Sequence, residues 1–174
     1  SYVGTGIIYN HALATDETAA GSLTSFGDWA PYEGNQGLYF FASGANSTPF
    51  PNDDWMISPE FTLNGVTSPT FSMWAKSVTA EYGLERFQVG VGNSTDYNDF
   101  TIISSGAYIE VPTAWTQYQF DLSQYEGQTI RIAIHYVGSD SFALLTDSYT
   151  VDGTLGIGGS EINNFEYFYN ISSK

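Results

Sequence analysis

The sequence predicts an all-β fold, an antiparallel β-sandwich. Aromatic residues make up 17% of the 174 residues, and there are 18 glycines and 13 tyrosines, a mixture that favours pleated strands joined by tight turns. No segment has a sustained helical period, so any helix is expected to be a single turn. About nine short apolar runs bounded by turn residues recur along the chain, and that number is typical of two stacked sheets.

The individual strands are predicted from apolar runs and from alternation. In chain order they are Gly6–Tyr9, Gly37–Ala42, Trp55–Ser58, Thr70–Ala75, Arg86–Val91, Phe100–Ile103, Thr116–Leu122, Ile130–Val137 and Phe142–Val151. Alternation is clearest in the eighth strand, where every second residue from Ile130 to Tyr136 is large and apolar. That face is expected to pack on the core, and Gly127 allows a tight turn before the strand.

The charge balance excludes several kinds of partner. Lysine and arginine number 4 against 19 aspartates and glutamates, which gives a formal net charge of -15. Nucleic acids and anionic membrane surfaces would be repelled, and no apolar run approaches the roughly 20 residues that cross a bilayer. We therefore expect no nucleic-acid binding and no membrane insertion. The same acidity fits solubility in salt, attraction of cations or tolerance of a neutral glycan, and charge alone does not choose among these.

The chain is predicted to have two parts. Residues 1–152 form the sandwich, a binding domain that needs no disulfide and has no cysteine. Residues 153–174 form a glycine-rich link followed by an aromatic cluster between Phe165 and Tyr169. Two interpretations of this cluster stay open, a last strand docked on the sandwich and a separate terminal segment. No signal peptide is visible, and the chain is expected to be a piece of a longer protein.

Two neighbouring motifs resemble a known family. Residues 52–59 (NDDWMISP) and residues 69–75 (PTFSMWA) resemble the "DWLISP … LSFW" core of the cleaved-adhesin and choice-of-anchor-J domains of Bacteroidetes. Weaker matches follow in order at Trp115, Asp121–Ser123 with Gly127, Ile130–Tyr136 and Asp147–Val151. The likeness covers about residues 26–151. The acidic opening strand of the family is not recognisable in residues 1–25, so the resemblance assigns no first metal ligand there.

The resemblance implies a MAM-like sandwich of the jelly-roll type with structural calcium, in a module appended to secreted enzymes and adhesins. Residues 155–170 also resemble the beginning of the C-terminal sorting domain of type IX secretion substrates. Both resemblances imply a secreted or cell-surface protein. The module itself is expected to be a monomer within a larger chain.

Calcium is the ion that the residues favour, because acidic loops supply the hard oxygen ligands it prefers. Asn52, Asp53 and Asp54 give adjacent oxygens before a strand, and Asp147 joins them if the family pattern holds. A turn cap is the structural alternative for the aspartates at 53 and 54, and a solvated side chain is the alternative for Asp147. A second acidic loop, residues 93–99, fits an ion site and an exposed hairpin tip equally well.

Catalysis is not supported by the residues. Only His11 and His135 are available for a zinc site, and they do not form a motif with zinc-ligand spacing. His135 is predicted to be a half-buried histidine with its hydrogen bonds satisfied. Glu81 and Glu85 are separated by a predicted turn at Gly83, which argues against a glycosidase pair. No nucleophile elbow is present, so the chain is predicted not to be an enzyme.

Loop aromatics predict a ligand site, because a sugar ring stacks its apolar face on tryptophan or tyrosine while its hydroxyls bind polar side chains. The first candidates are Trp29 and Tyr32, with Asn35 and Gln36 in the same loop. The alternative for each loop aromatic is packing on the sandwich edge.

A second predicted platform combines Tyr82 and Tyr97 with Arg86. Of the remaining tryptophans, Trp55 is predicted to be core, Trp115 to be packing, and Trp74 to line the outer surface of its sheet and contact ligand.

These features favour a non-catalytic carbohydrate-binding module that recognises a polysaccharide or oligosaccharide, within a secreted and polysaccharide-degrading multidomain protein. A protein-binding adhesin module is the alternative, and an exposed apolar patch without a polar groove would favour it. A catalytic jelly roll is the third hypothesis and requires paired carboxylates across a cleft.

Overall fold

The computed structural model describes residues 6–10, 28–43 and 51–155. These ranges contain β-strands and two single turns of 3-10 helix, Tyr97–Asp99 and Ser123–Tyr125. The strands are β1 (Gly6–Asn10), β2 (Gln36–Phe41), β3 (Asp54–Ile57), β4 (Phe61–Thr62), β5 (Val66–Ser77), β6 (Glu85–Gly92), β7 (Thr101–Ile102), β8 (Ile109–Val111), β9 (Thr116–Asp121), β10 (Thr129–Tyr136) and β11 (Ala143–Leu155). The predicted all-β class is confirmed.

The strands form two antiparallel sheets. The five-stranded sheet has the order β1-β2-β11-β5-β9. The six-stranded sheet has the order β3-β10-β6-β7, with β4 also paired to β10 and β8 to β6. Neighbours in space are distant in sequence, as where β11 lies between β2 and β5. This is the predicted sandwich of the jelly-roll type.

The core lies between the sheets and follows the alternation predicted for β10. Ile130, Ile132, Ile134 and Tyr136 are all buried, and they share one cluster with side chains of the opposite sheet such as Phe71. We call this cluster the inner cluster. Burial of apolar surface at roughly 25 cal/mol per Å² makes it the main source of stability.

Two strands escaped the sequence analysis because they are too short to show a pattern. β4 has two residues and β8 has three, and each pairs with a longer strand, β10 and β6 respectively. β5 also begins at Val66, earlier than predicted, since its first residues pair with the end of β11.

The predicted domain boundary near Gly153 falls inside β11. Thr154 pairs with Thr67 and Leu155 with Val66, so residues 153–155 are strand and not link. Gly153 suits this place, because a Cβ there would lie 2.3 Å from Val66 Cγ1. The rest of the predicted link and the aromatic cluster after it lie outside the described residues.

A second apolar cluster covers the outer face of the five-stranded sheet. Its buried members are Trp29, Tyr39, Val78, Ala143 and Leu145. We call it the outer cluster. It exists because the segment before β2 crosses that face and places Trp29 on it. This crossing segment positions the candidate site described below.

Beside the segment's start, the Lys76 ammonium contacts the Asp28 carboxylate at 3.1 Å. Trp115 packs partly buried against the outer cluster, as predicted, and the same ammonium lies over its ring at 5.3 Å.

Glu85 is a carboxylate buried at the start of β6. Its oxygens accept hydrogen bonds from the Tyr136 hydroxyl, the Ser141 hydroxyl and the Phe142 N–H, each at 2.6 Å. Burial raises the pKa of Glu85, although the three donors and the nearby Arg86 charge lower it. Glu85 therefore ties the β10–β11 connection to β6.

Candidate binding site

Tyr32 and Trp74, two of the predicted ligand-binding residues, form an aromatic stack on the outer face of the five-stranded sheet. Because Met73 is buried in the inner cluster, the alternation of β5 directs Trp74 to the opposite face, as predicted. The ring centroids of Tyr32 and Trp74 are 3.9 Å apart with planes at 13°, and Trp115 meets Tyr32 edge-on at 5.9 Å. Tyr32 is 40% exposed. We call this stack the Tyr32 platform.

Asp147 holds the segment that carries the platform. Its Oδ2 accepts hydrogen bonds from the backbone N–H groups of Tyr32 at 2.9 Å and Glu33 at 3.1 Å. Its Oδ1 accepts from the Ser148 N–H at 2.7 Å, where β11 has an irregularity and Ser148 has a φ of 50°. Burial raises the pKa of Asp147, while these backbone donors lower it.

A shallow depression of about 600 Å³ opens beside the platform. Its described lining residues are Asn10, Glu33, Gly34, Asn35, Gln36 and Asp147. The lining therefore offers three amides and two carboxylates, and no basic side chain among the described residues. We call it the acidic depression.

The structure brings several predicted residues together at this place. Asn35 and Gln36 line the depression next to Tyr32, although Asp147 was predicted as a metal ligand and not as part of this site. The sequence analysis missed Asn10, whose place follows only from the pairing of β1 with β2, in which Asn10 lies opposite Gln36.

Trp29 was predicted to bind ligand, and that prediction is wrong. Its side chain is buried, with 3% of the residue exposed, and its ring stacks on Phe41 at 5.9 Å and meets Phe142 edge-on at 5.8 Å. Its carbonyl also accepts a hydrogen bond from the Tyr39 hydroxyl at 2.6 Å. Trp29 is the apolar anchor of the crossing segment, since both ring faces lie in protein.

The predicted second platform is not assembled. Tyr82 precedes β6 and Tyr97 follows it, and the eight residues of that strand span roughly 25 Å. Tyr82 lies near Phe142, with ring centroids 6.2 Å apart. The Arg86 guanidinium lies 4.5 Å from the ring of Tyr108, a residue that the sequence analysis did not select. The three predicted residues therefore do not form one site.

Two of the four predicted metal ligands have roles within the protein. Asn52 is buried, and its Oδ1 accepts from the N–H and the hydroxyl of Ser43 at 2.7 Å and 3.0 Å. Its Nδ2 donates to Asp54 Oδ2 at 2.7 Å. Burial raises the pKa of Asp54, while this amide donor lowers it. The side chains of Asn52 and Asp54 therefore connect Ser43 to the start of β3 by hydrogen bonds.

The other two predicted ligands lie apart from each other. Asp53 Oδ1 accepts from the indole N–H of Trp55 at 2.9 Å and contacts His135 Nε2 at 2.8 Å. Asp147 belongs to the five-stranded sheet. Within the ranges that the structure describes, no three histidine, cysteine, aspartate or glutamate side chains are grouped to hold a metal ion. The four residues do not fit one calcium site, and calcium binding itself stays a prediction.

Trp55 was predicted to be core but lies on the outer face of the six-stranded sheet. It pairs with His135 across β3 and β10, and His135 faces away from the core because Ile134 and Tyr136 face into it. His135 is half-buried with both ring nitrogens in contact with polar atoms, as predicted. Burial lowers its pKa, while Asp53 raises it.

Comparisons with known proteins identify the fold. No protein-family model matches the chain, and no curated protein matches its sequence. Among solved structures, the K1 and K3 cleaved adhesin domains of Lys-gingipain from Porphyromonas gingivalis W83 each match with a TM-score of 0.53. Their identities are 17% and 15%, and the matches cover 86% and 87% of this chain and 90% of each of those chains. The chain has the fold of the cleaved adhesin domains.

The K2 cleaved adhesin domain of Lys-gingipain is similar in the same way, with a TM-score of 0.52 and 15% identity over 83% of this chain and 87% of that one. At these identities the likeness is one of fold, and it agrees with the resemblance seen in the motifs. Function depends on the site and not on the fold. Among the described residues, no helix is long and apolar enough to cross a membrane.

Proposed function

We propose that the chain is a non-catalytic module that binds neutral saccharide chains, within a secreted or cell-surface protein that degrades polysaccharides. The observation that carries the proposal is the Tyr32 platform beside the acidic depression. An exposed ring lies flat on a second ring, next to a hollow lined by amides and carboxylates. This combination suits a pyranose unit, whose apolar face stacks and whose hydroxyls hydrogen-bond.

The rigidity of the platform supports binding. Tyr32 is backed by Trp74 and flanked by Trp115, and its own N–H is bound by Asp147. A ligand therefore meets a ring whose conformational freedom has already been lost, and the entropy cost of ordering that ring does not reduce the affinity.

The charges of the depression favour an uncharged ligand. Glu33 and Asp147 both line it, and the whole chain has a formal net charge of -15. A uronate or a sulfated sugar would be repelled there, whereas neutral hydroxyls can donate to the carboxylates and exchange hydrogen bonds with the amides of Asn35 and Gln36.

The use of Asp147 supports binding rather than hydrolysis. Both of its oxygens accept hydrogen bonds from backbone N–H groups. A general acid or base must exchange a proton with the substrate, and a carboxylate held by backbone donors is poorly placed to do so. Its role is to fix the segment that carries Tyr32.

Affinity gel electrophoresis tests the proposal with neutral plant and marine polysaccharides in the gel. The wild-type protein is expected to be retarded by at least one of them. Tyr32→Ala is expected to lose that retardation with only a small fall in melting temperature, because the lost stack on Trp74 contributes about 0.5–1.5 kcal/mol and the fold does not depend on it. Tyr82→Ala is the matched control, since Tyr82 is 49% exposed and does not line the depression. Equal retardation of Tyr32→Ala and wild type would remove the site, and no retardation by any polysaccharide would favour the adhesin alternative.

A further inference from the structure

The outer face of the six-stranded sheet carries a second arrangement of aromatic and polar side chains. Trp55 belongs to neither the inner nor the outer cluster and is partly exposed. Its indole lies parallel to the His135 ring, with centroids 3.9 Å apart and planes at 13°. Because this stack lies on the outer face of the sheet, it does not contribute to the packing of the core.

A chain of polar contacts fixes the Trp55 ring in this position. Asp53 Oδ1 joins the indole N–H at 2.9 Å to His135 Nε2 at 2.8 Å. His135 Nδ1 contacts Gln88 Oε1 at 2.7 Å, and the Gln88 amide donates to the Ala107 carbonyl at 2.8 Å. The ring is therefore held across β3, β10 and β6, which is the preorganisation that a binding surface needs.

Further aromatic rings extend the surface around Trp55. Tyr97 is 48% exposed, and its ring centroid is 5.7 Å from that of Trp55. The ring centroid of Phe100 is 6.1 Å from that of Trp55. The Phe100 ring also covers Gly92, where a Cβ would lie 3.0 Å from it. A larger residue at position 92 would require the Phe100 ring to move by a few tenths of an ångström.

The other end of the face offers a cation beside a ring. The Arg86 guanidinium lies 4.5 Å from the centroid of Tyr108, which is 41% exposed, and 3.5 Å from the Glu110 carboxylate. Trp55 and Gln88 flank His135 on either side, so they are two strand spacings, roughly 10 Å, apart. Arg86 lies two residues before Gln88 in β6 and on the same face. The side chains therefore form an extended surface and not an isolated contact. We call this set the Trp55 surface.

Both arginines of this face lie beside carboxylates. Arg86 contacts Glu110 and Arg131 contacts Glu60, while His135, whose pKa is lowered by burial, contacts Asp53. Because both arginines are paired with carboxylates, the face suits an uncharged ligand better than an anion. Rings with hydrogen-bonding groups between them bind a saccharide chain better than they bind the apolar surface of another protein.

We infer that the Trp55 surface is a second saccharide-binding site, on the sheet opposite the Tyr32 platform. One pyranose ring stacks on Trp55 and Tyr97, and the chain continues towards Arg86 and Tyr108. This inference rests on the proposed function only in taking the same class of ligand, a neutral saccharide chain. With sites on both faces, one module engages two chains or two stretches of a polymer, which raises the apparent affinity for long chains.

Fluorine NMR of protein labelled with 5-fluorotryptophan separates the two sites. Single substitutions of tryptophan by phenylalanine assign the signals of Trp29, Trp55, Trp74 and Trp115, and xylohexaose, β-1,4-galactotriose and laminarihexaose serve as probes at millimolar concentration. A probe that binds is expected to shift the Trp55 signal in wild type and also in Tyr32→Ala, while the buried Trp29 signal stays in place. A Trp55 signal that no probe moves, with Trp74 shifting, overturns the second site alone; if neither signal moves, the proposed function fails as well.

Tyr97→Ala provides a second measurement that does not depend on Trp55. Loss of one stacking ring is expected to weaken the affinity read from the Trp55 shift between about twofold and tenfold, and to leave the Trp74 shift unchanged. Tyr82→Ala is again the control. An unchanged affinity at Trp55 in Tyr97→Ala would contradict the inference.

Discussion

At the scale of single residues, Trp29 and Tyr32 lie three positions apart in one segment and have opposite roles. The sequence identifies the segment as aromatic and polar, which is enough to expect a site there. It does not show which ring folds back, because that depends on the apolar surface left by Tyr39 and by Ala143 and Leu145, the last two from the distant strand β11. Trp29 fills this surface and Tyr32 is left on top of Trp74.

Glu85 gives a residue-scale prediction about pH. Because burial raises its pKa, folding favours its protonated form, and ionisation costs folding free energy. Glutamine at this position does not titrate. The free energy of unfolding of wild type, relative to Glu85→Gln, is therefore expected to fall as the pH rises from below about 4.3, the ordinary glutamate pKa, towards neutrality.

Urea denaturation of both proteins at a series of pH values measures this difference. All other titrating groups are common to the two proteins, so their contributions cancel to the extent that they do not sense residue 85. A difference that is constant with pH, or that grows in favour of wild type, would contradict the assignment.

At the scale of elements, strand patterns predict what faces the core better than what faces outward. The alternation in β10 gives the buried set from Ile130 to Tyr136 directly. Trp55 has no such pattern, because β3 has only four residues and its orientation follows from its register with β10. The family-like motif that contains Trp55 therefore located the strand and gave the wrong face.

The connection between β11 and the crossing segment is likewise invisible in the sequence. Asp147 and Tyr32 are 115 residues apart. They meet only because the crossing segment packs on the sheet next to β11. From sequence alone, a carboxylate on the last strand fits a calcium ligand, a solvated side chain and a backbone anchor equally well.

Asp147→Asn tests this anchor. The substitution replaces one of the two acceptor oxygens by an amide donor facing an N–H group, so at least one backbone contact is lost. Saccharide affinity is expected to fall roughly tenfold, equivalent to about 1.4 kcal/mol, as the platform segment loosens. Hydrogen exchange at the Tyr32 and Glu33 amides is expected to speed up in the same protein.

Asp121→Asn is the matched control, because that exposed carboxylate accepts hydrogen bonds from Ser123 in a turn of the same sheet and does not line the depression. If Asp147→Asn kept full affinity and slow exchange at both amides, the anchoring role would be wrong.

At the scale of the whole molecule, two sheets packed on an inner cluster leave two outer faces with different chemistry. The five-stranded sheet presents the Tyr32 platform and an acidic depression, and the six-stranded sheet presents rings among paired charges. The number of short apolar runs predicted the sandwich, and the acidic composition predicts that polyanions are not partners, which stays a prediction. The distribution of rings between the faces depends on strand order, which composition does not contain.

The most direct test of the saccharide site is a crystal structure of the protein with a neutral oligosaccharide from a polysaccharide that retards it. A pyranose ring is expected to lie parallel to the exposed face of Tyr32, with hydroxyls within hydrogen-bonding distance of side chains in the acidic depression. A well-ordered oligosaccharide bound elsewhere, with Tyr32 and the depression untouched, would contradict the account.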